Sequence, residues 1–258
     1  SAGFKLSAQQ LETHITERTK WLMLNSPSNP TGAVYSAQEL SALAAVLRKH
    51  PQVWVLTDDI YEKLVYDTHR FVNLLEVAPD LMARTLVING VSKMYAMTGW
   101  RIGYAAGPRE LIKAMTLVQG QSTNNANAVA QVAATAALDG DQTCVQTFRA
   151  AFSERRDLVV NAINGIKGLS VDAPAGAFYV FVSCADLLGK RTPQGAVIQT
   201  DRDFVRYLLD VAHVAVVSGT GFLHSPYFRV SYAAGVAQLR EALARIQQAV
   251  EVLEELHA

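Results

Sequence analysis

Short apolar runs, each followed at once by polar residues, recur along the first part of the chain. Lys20-Trp21-Leu22-Met23-Leu24 reads as a strand, and Val53-Trp54-Val55-Leu56-Thr57 and Thr85-Leu86-Val87-Ile88, short and rich in β-branched side chains, each predict a buried strand. Between the first two, Ser36-Ala37-Gln38-Glu39 has the form of a capping box and opens a helix to about Lys49, which Pro51 stops. A helical segment over 71–81 separates the second strand from the third. Successive strand-to-helix units predict an α/β fold with a mostly parallel, doubly wound sheet and right-handed crossovers. A further strand is expected over 101–107, with Pro108 starting a helix through about Val118.

After a polar loop over 119–127 the pattern changes. Helices are expected over 128–138 and 142–164, separated by Gly140, the second long and amphipathic. A domain boundary is placed within it, dividing the chain into 1–150 and 151–258. Strands over 169–171, 176–181, 214–217 and 228–232, with helices near 201–211 and 236–256, make the second part a smaller C-terminal α+β domain.

Composition narrows the function classes. Lys plus Arg and Asp plus Glu number 23 each, so no net charge suggests nucleic acid or an anionic membrane surface. Apolar runs are broken by charge or glycine before they could span a bilayer, and Ser1-Ala2-Gly3-Phe4-Lys5 has no signal-peptide form. Cys144 and Cys184 are far apart and form no CxxC, which predicts buried free thiols in a reducing, cytoplasmic setting. The histidines show no metal-ligand spacing, so no metal site is expected.

Candidate chemistry collects at strand ends, where open α/β sheets bind ligands. The first strand delivers Asn25-Ser26-Pro27-Ser28-Asn29-Pro30, the second Asp58-Asp59-Ile60-Tyr61, and the third Ser92-Lys93. Arg101 follows in an apolar, glycine-spaced segment where an unpaired guanidinium is costly, which implies an anionic partner such as a phosphate. Taken one at a time these residues have ordinary readings: Lys93 a loop charge, Asp58 a helix cap, Tyr61 a packed rim aromatic, Arg229 an interdomain ion pair. Gly99, Gly103 and Gly107 read as close backbone packing, and Ser218-Gly219-Thr220-Gly221 is too short to mark a nucleotide loop.

The run Ser92-Lys93, then Thr98-Gly99-Trp100-Arg101-Ile102-Gly103-Tyr104, resembles the cofactor-lysine signature of class I/II aminotransferases, the fold type I pyridoxal-phosphate enzymes, and is most similar to their bacterial aspartate aminotransferase subgroup. The resemblance implies a pyridoxal 5'-phosphate cofactor held covalently by Lys93, which also moves the catalytic proton. Asp58 would face the ring nitrogen, with Asp59 its competitor in the motif. Tyr61 and Asn29 would bond the phenolic oxygen, Asn29 through a cis Asn29-Pro30 peptide. Arg101 would clamp the phosphate, with Ser92 a weaker donor. Arg229, in Phe228-Arg229-Val230-Ser231-Tyr232, matches the arginine for the substrate α-carboxylate, to which Asn29 also belongs. The implied reaction moves an amino group between an amino acid, aspartate first, and a 2-oxo acid such as 2-oxoglutarate, in a homodimer.

Two departures qualify this. Many relatives carry Ser or Thr where this chain has Gly90, removing one phosphate donor. The stretch 116–127 contains no basic residue, although one branch of aspartate aminotransferases reads the acidic side chain with an arginine there. Aromatic, branched or prephenate substrates, or the effector part of an aminotransferase-like regulator, are therefore the alternatives. Relatives also carry a segment before the point where this chain begins, holding a phosphate-binding turn, a ring-stacking aromatic and a tyrosine that reaches the partner; none is found here, so the chain is expected to be a fragment of a longer aminotransferase, a natural truncation being the other reading.

Overall fold

The computed structural model describes residues 3–254, and the chain divides into two compact units. The first comprises Ser1–Ser28, Ala33–Arg149 and Ala175–Ala177; the second comprises Asn29–Gly32, Ala150–Pro174 and Phe178–Ala258.

The first unit is built on a four-stranded sheet of β1 (Trp21–Asn25), β2 (Trp54–Asp58), β3 (Thr85–Gly90) and β4 (Gly103–Ala106), adjacent in that order. The first three are parallel and β4 runs antiparallel to β3. Two helices, α1 (Ala8–His14) and α2 (Ala37–Lys49), and the single turn α3 (Leu74–Val77) pack Leu11, Leu40, Leu43, Leu47 and Leu74 against Leu24, Val53 and Val55 of the strands, making one continuous apolar core. At about 25 cal/mol per Å² of apolar area removed from water, such leucines are the main source of the unit's cohesion. The Ser36 capping box forms as expected, with Ser36 accepting from Glu39 N and Glu39 accepting from Ser36 N. At the other end of α2, Arg84 donates to the carbonyls of Leu47, His50 and Val53, tying the end of the helix to the start of β2.

Residues 71–81 are less helical than their composition suggests: Pro79 lacks the N–H that would continue α3, which stops at Val77, and a 3₁₀ turn, Pro79–Arg84, follows. Three helices follow: α4 (Arg109–Gly120), α5 (Ala128–Asp139) and α6 (Thr143–Asn164), the last carrying the division between units. Leu117, Val118, Val129 and Val132 of α4 and α5 are exposed.

The second unit is α+β, with an antiparallel sheet in the order β5 (Tyr179–Ser183), β7 (Tyr227–Ser231), β6 (Val217–Ser218). Helices α7 (Asp201–Ala212) and α8 (Val236–Glu251) bury Phe204, Leu208, Leu243 and Ile246 beside Val180 and Phe228. Three expected strands are shortened or moved. Over 169–171 only the bridge Ser170–Ser183 forms. The strand expected at Gly176 starts at Tyr179, because Gly176 bridges Val65 and sits hard against Leu64 O and Pro27, where a Cβ would lie 2.7 Å from each. Residues 214–216 stay outside the sheet, since α7 ends on His213 in the left-handed region (φ 55°) and its N–H-bonded cap delays pairing until Val217. Cys184 is buried as expected, but Cys144, on the first turn of α6, is exposed; both are free.

Candidate active site

In the first unit the expected polar residues stand at the carboxyl ends of the parallel strands. Asp58 is the last residue of β2 and lies in register with Asn25 on one side and Ile88 on the other. Asn25 donates to the Asp58 carbonyl at 3.0 Å, and Ile60 N donates to Asp58 Oδ1 at 3.2 Å, so the carboxylate is fixed by the turn that ends the strand. Burial raises the Asp58 carboxyl above its usual range, opposed by the Ile60 N–H and by the charge of Lys93. Lys93 lies in the turn after β3, whose Ile88 is in register with Asp58. Tyr61 follows in the same turn and is buried, its carbonyl accepting from Leu64 N at 2.8 Å.

The segment from Gly90 to Tyr104 departs from easy backbone geometry. Ala96 and Arg101 both sit at φ 53°, in the left-handed region that non-glycine residues rarely adopt and that collects at functional sites. Arg101 is exposed, and its Nη1 donates to Thr98 O at 2.8 Å, closing the guanidinium over its own turn. Ser92 is half-buried two residues after Gly90. The structure explains the glycine at position 90: it pairs with Gly103, and a Cβ there would lie 3.1 Å from both Ile102 O and Ile60 Cδ1. A side chain at that place would press on the β3–β4 pairing and on Ile60, which would have to give by a few tenths of an ångström.

Asp59, the competitor for the ring-facing role, has its own partners. It is buried, accepts from Asn73 Nδ2 at 2.6 Å and from Thr57 at 3.5 Å, and faces the core side of the turn. Asn73 at the same time caps α3 by accepting from Leu75 N. Burial, with smaller contributions from Glu62 and Asp58, pushes the Asp59 carboxyl up to about 7 against the hydrogen bonds from Asn73 and Thr57.

In the second unit Arg229 lies on β7, opposite Phe181 of β5. Its Nη1 donates to Asn29 Oδ1 at 2.6 Å, and Asn29 precedes a cis peptide to Pro30, as expected. The guanidinium lies between two rings, 4.5 Å from the Tyr179 centroid and 5.3 Å from that of Phe222, while its Nε is buried with no hydrogen-bond partner. A buried guanidinium N–H left unpaired is costly. Tyr179 and Phe222 were not foreseen as site residues. The only signal for Tyr179 was its place two residues from Phe181 on one strand face; Phe222 is brought in by a turn that carries no such period.

Residues 1–246 match the family described as aminotransferase class I and II, and the chain belongs to that family. It is 56% identical over 253 residues to an aspartate aminotransferase of Rhizobium meliloti strain 1021, covering 98% of this chain and 62% of that protein. An aspartate/prephenate aminotransferase of Cereibacter sphaeroides is 54% identical over 245 residues, covering 95% of this chain and 61% of the relative. The crystal structure of the Rhizobium meliloti aspartate aminotransferase superposes with a TM-score of 0.95 at 55% identity, over 98% of this chain and 63% of the other. The fold is therefore the fold type I α/β architecture, and the chain spans about three-fifths of the length of these relatives.

Proposed function

We propose that the protein carrying this chain is a pyridoxal-phosphate-dependent aminotransferase that moves an amino group between aspartate and 2-oxoglutarate. The observation that carries the reading is the half-buried Asp58 carboxylate at the end of β2, beside the parallel strand β3 that leads into Lys93. Such a carboxylate fits a protonated pyridine nitrogen, whose N–H and positive charge would offset the burial that now raises it. When bound, the cofactor supplies an electron sink for the carbanion at the substrate's α-carbon.

In this reading Lys93 holds the cofactor's aldehyde and moves the proton at the substrate's α-carbon. Asp58 keeps the ring nitrogen charged, and Tyr61 and Asn29 bond the phenolic oxygen. Arg101 and Ser92 hold the phosphate. Arg229, oriented by Asn29 and flanked by two rings, takes the substrate α-carboxylate in a bidentate grip. The names of the Rhizobium meliloti and Cereibacter sphaeroides relatives support aspartate as donor, and the latter gives prephenate as the second acceptor to try. Exposed apolar side chains on α4 and α5, including Leu117, Val118, Val129 and Val132, support a homodimer, and the two free thiols fit a cytoplasmic setting. Amino transfer from aspartate, assayed in the full-length protein against 2-oxoglutarate and prephenate, tests the reaction; transfer from neither pair would refute it.

A further inference from the structure

Asp201, the first residue of α7, is fully buried, and none of the roles above uses it. No ion pair to it forms among the described residues. Its partners are hydroxyls and one amide: Oδ1 accepts from Ser225 Oγ at 2.5 Å and Thr220 Oγ1 at 2.8 Å, while Oδ2 accepts from Thr220 N at 2.9 Å and from Ser218 Oγ. Burying a carboxylate without a cation is costly unless its oxygens are satisfied, so these bonds hold as a set.

All the donors come from one short segment. It holds the 3₁₀ turn Gly219–Phe222, whose Gly219 has no room for a side chain: a Cβ would lie 2.2 Å from His224 O and 2.5 Å from Tyr227 O. Phe222, at the end of that turn, is the ring 5.3 Å from the Arg229 guanidinium. The segment therefore links a buried anion on α7 to one wall of the Arg229 site.

The geometry assigns Asp201 as a positioning residue for Arg229: by holding Ser218, Thr220 and Ser225 it fixes the turn that lays Phe222 against the guanidinium, and so sets how the Arg229 donors face a carboxylate. This rests on the carboxylate-binding reading of Arg229.

The test combines a spectroscopic and a kinetic readout. In the NMR spectrum of the chain, the Arg229 Nε–H signal, identified by its loss in Arg229→Lys, is displaced by the ring currents of Tyr179 and Phe222. Asp201→Asn and Phe222→Leu should each return it part of the way to the ordinary arginine position, and the double variant should return it no further than Phe222→Leu alone. In the full-length protein, Asp201→Asn should raise KM for amino acids about tenfold with kcat within about twofold, the size of coupling expected between residues sharing a network. The slow reaction of a primary amine lacking an α-carboxylate should not change. A silent Nε–H signal with unchanged KM would overturn the inference, as would equal losses for amino acid and amine, which indicate general damage. If Arg229→Lys leaves the KM for amino acids unchanged, the carboxylate reading itself fails; an effect of Arg229→Lys with a silent Asp201→Asn refutes the positioning role alone. Should Asp201→Asn not fold, Ser225→Ala removes one donor only and is expected to give a smaller shift of the same sign, no shift counting against the proposal.

Discussion

Arg229 Nη1 and Asn29 Oδ1, separated by 200 positions in the chain, meet at 2.6 Å, and Asn29 is grouped with the second unit rather than with the strand that precedes it. The amide occupies one terminal nitrogen of the guanidinium and leaves the buried Nε unpaired. Arg229→Lys keeps the charge but loses the planar pair of donors. It should lower kcat/KM for amino acids by roughly a hundredfold, on the order of 3 kcal/mol, from lost charge-assisted hydrogen bonds. Asn29→Ala should raise KM by a smaller factor in steady-state kinetics of the full-length protein, because it removes a partner that orients the guanidinium and not the guanidinium itself.

Asp58→Asn keeps the shape of the strand end and removes the charge beside Lys93. Rates of amino transfer should fall by about a hundredfold or more, as when one electrostatic contact to the reacting system is removed, while the far-ultraviolet spectrum is unchanged. A variant as fast as the parent would show that the carboxylate has no role at the ring nitrogen.

Asp59 gives a pH dependence of opposite sign to the usual carboxylate. Its folded value of about 7 lies above the roughly 3.9 of an unfolded aspartate, so the folded state binds the extra proton between those values. Stability from this residue is complete below about pH 4 and is lost as pH rises through about 7. Asp59→Asn cannot ionise, so urea unfolding at pH 5, 6, 7 and 8 should show the variant gaining on the parent as pH rises. A constant difference across that range would contradict the account.

Gly219→Ala should destabilise by about 1–3 kcal/mol, because its Cβ meets backbone oxygens that cannot move as a flexible side chain can. Thermal unfolding of the chain reads this directly. Gly99→Ala, at a position with nothing within 4 Å of a built Cβ, is the control and should change little.

Local chemistry made much of the fold readable in advance. The Ser36 capping box, Pro108 ahead of α4 and Gly140 between α5 and α6 each act within a few residues, and each marks the end observed. The parallel order of β1, β2 and β3 followed from the alternation of strands with helices. Some misses were local, at Pro79 and at the His213 cap, and others depended on distant partners. Gly176 is drawn to Leu64 and Pro27, which no local pattern announces, and the strand begins three residues later. The places of Asp58 and Lys93 at strand ends and of Arg229 on β7 were legible from the strand pattern. Tyr179 and Phe222 were not, since a ring beside a guanidinium is decided by tertiary placement; nor was the exposure of Cys144.

Lys93 is the amine proposed to hold the cofactor. The most direct measurement is to mix the full-length protein with pyridoxal 5'-phosphate, reduce with borohydride, and find the modified peptide by mass spectrometry. The reduced adduct is expected on Lys93, and none at stoichiometric level in Lys93→Ala. Adduct spread over other lysines, or undiminished in Lys93→Ala, would contradict that role.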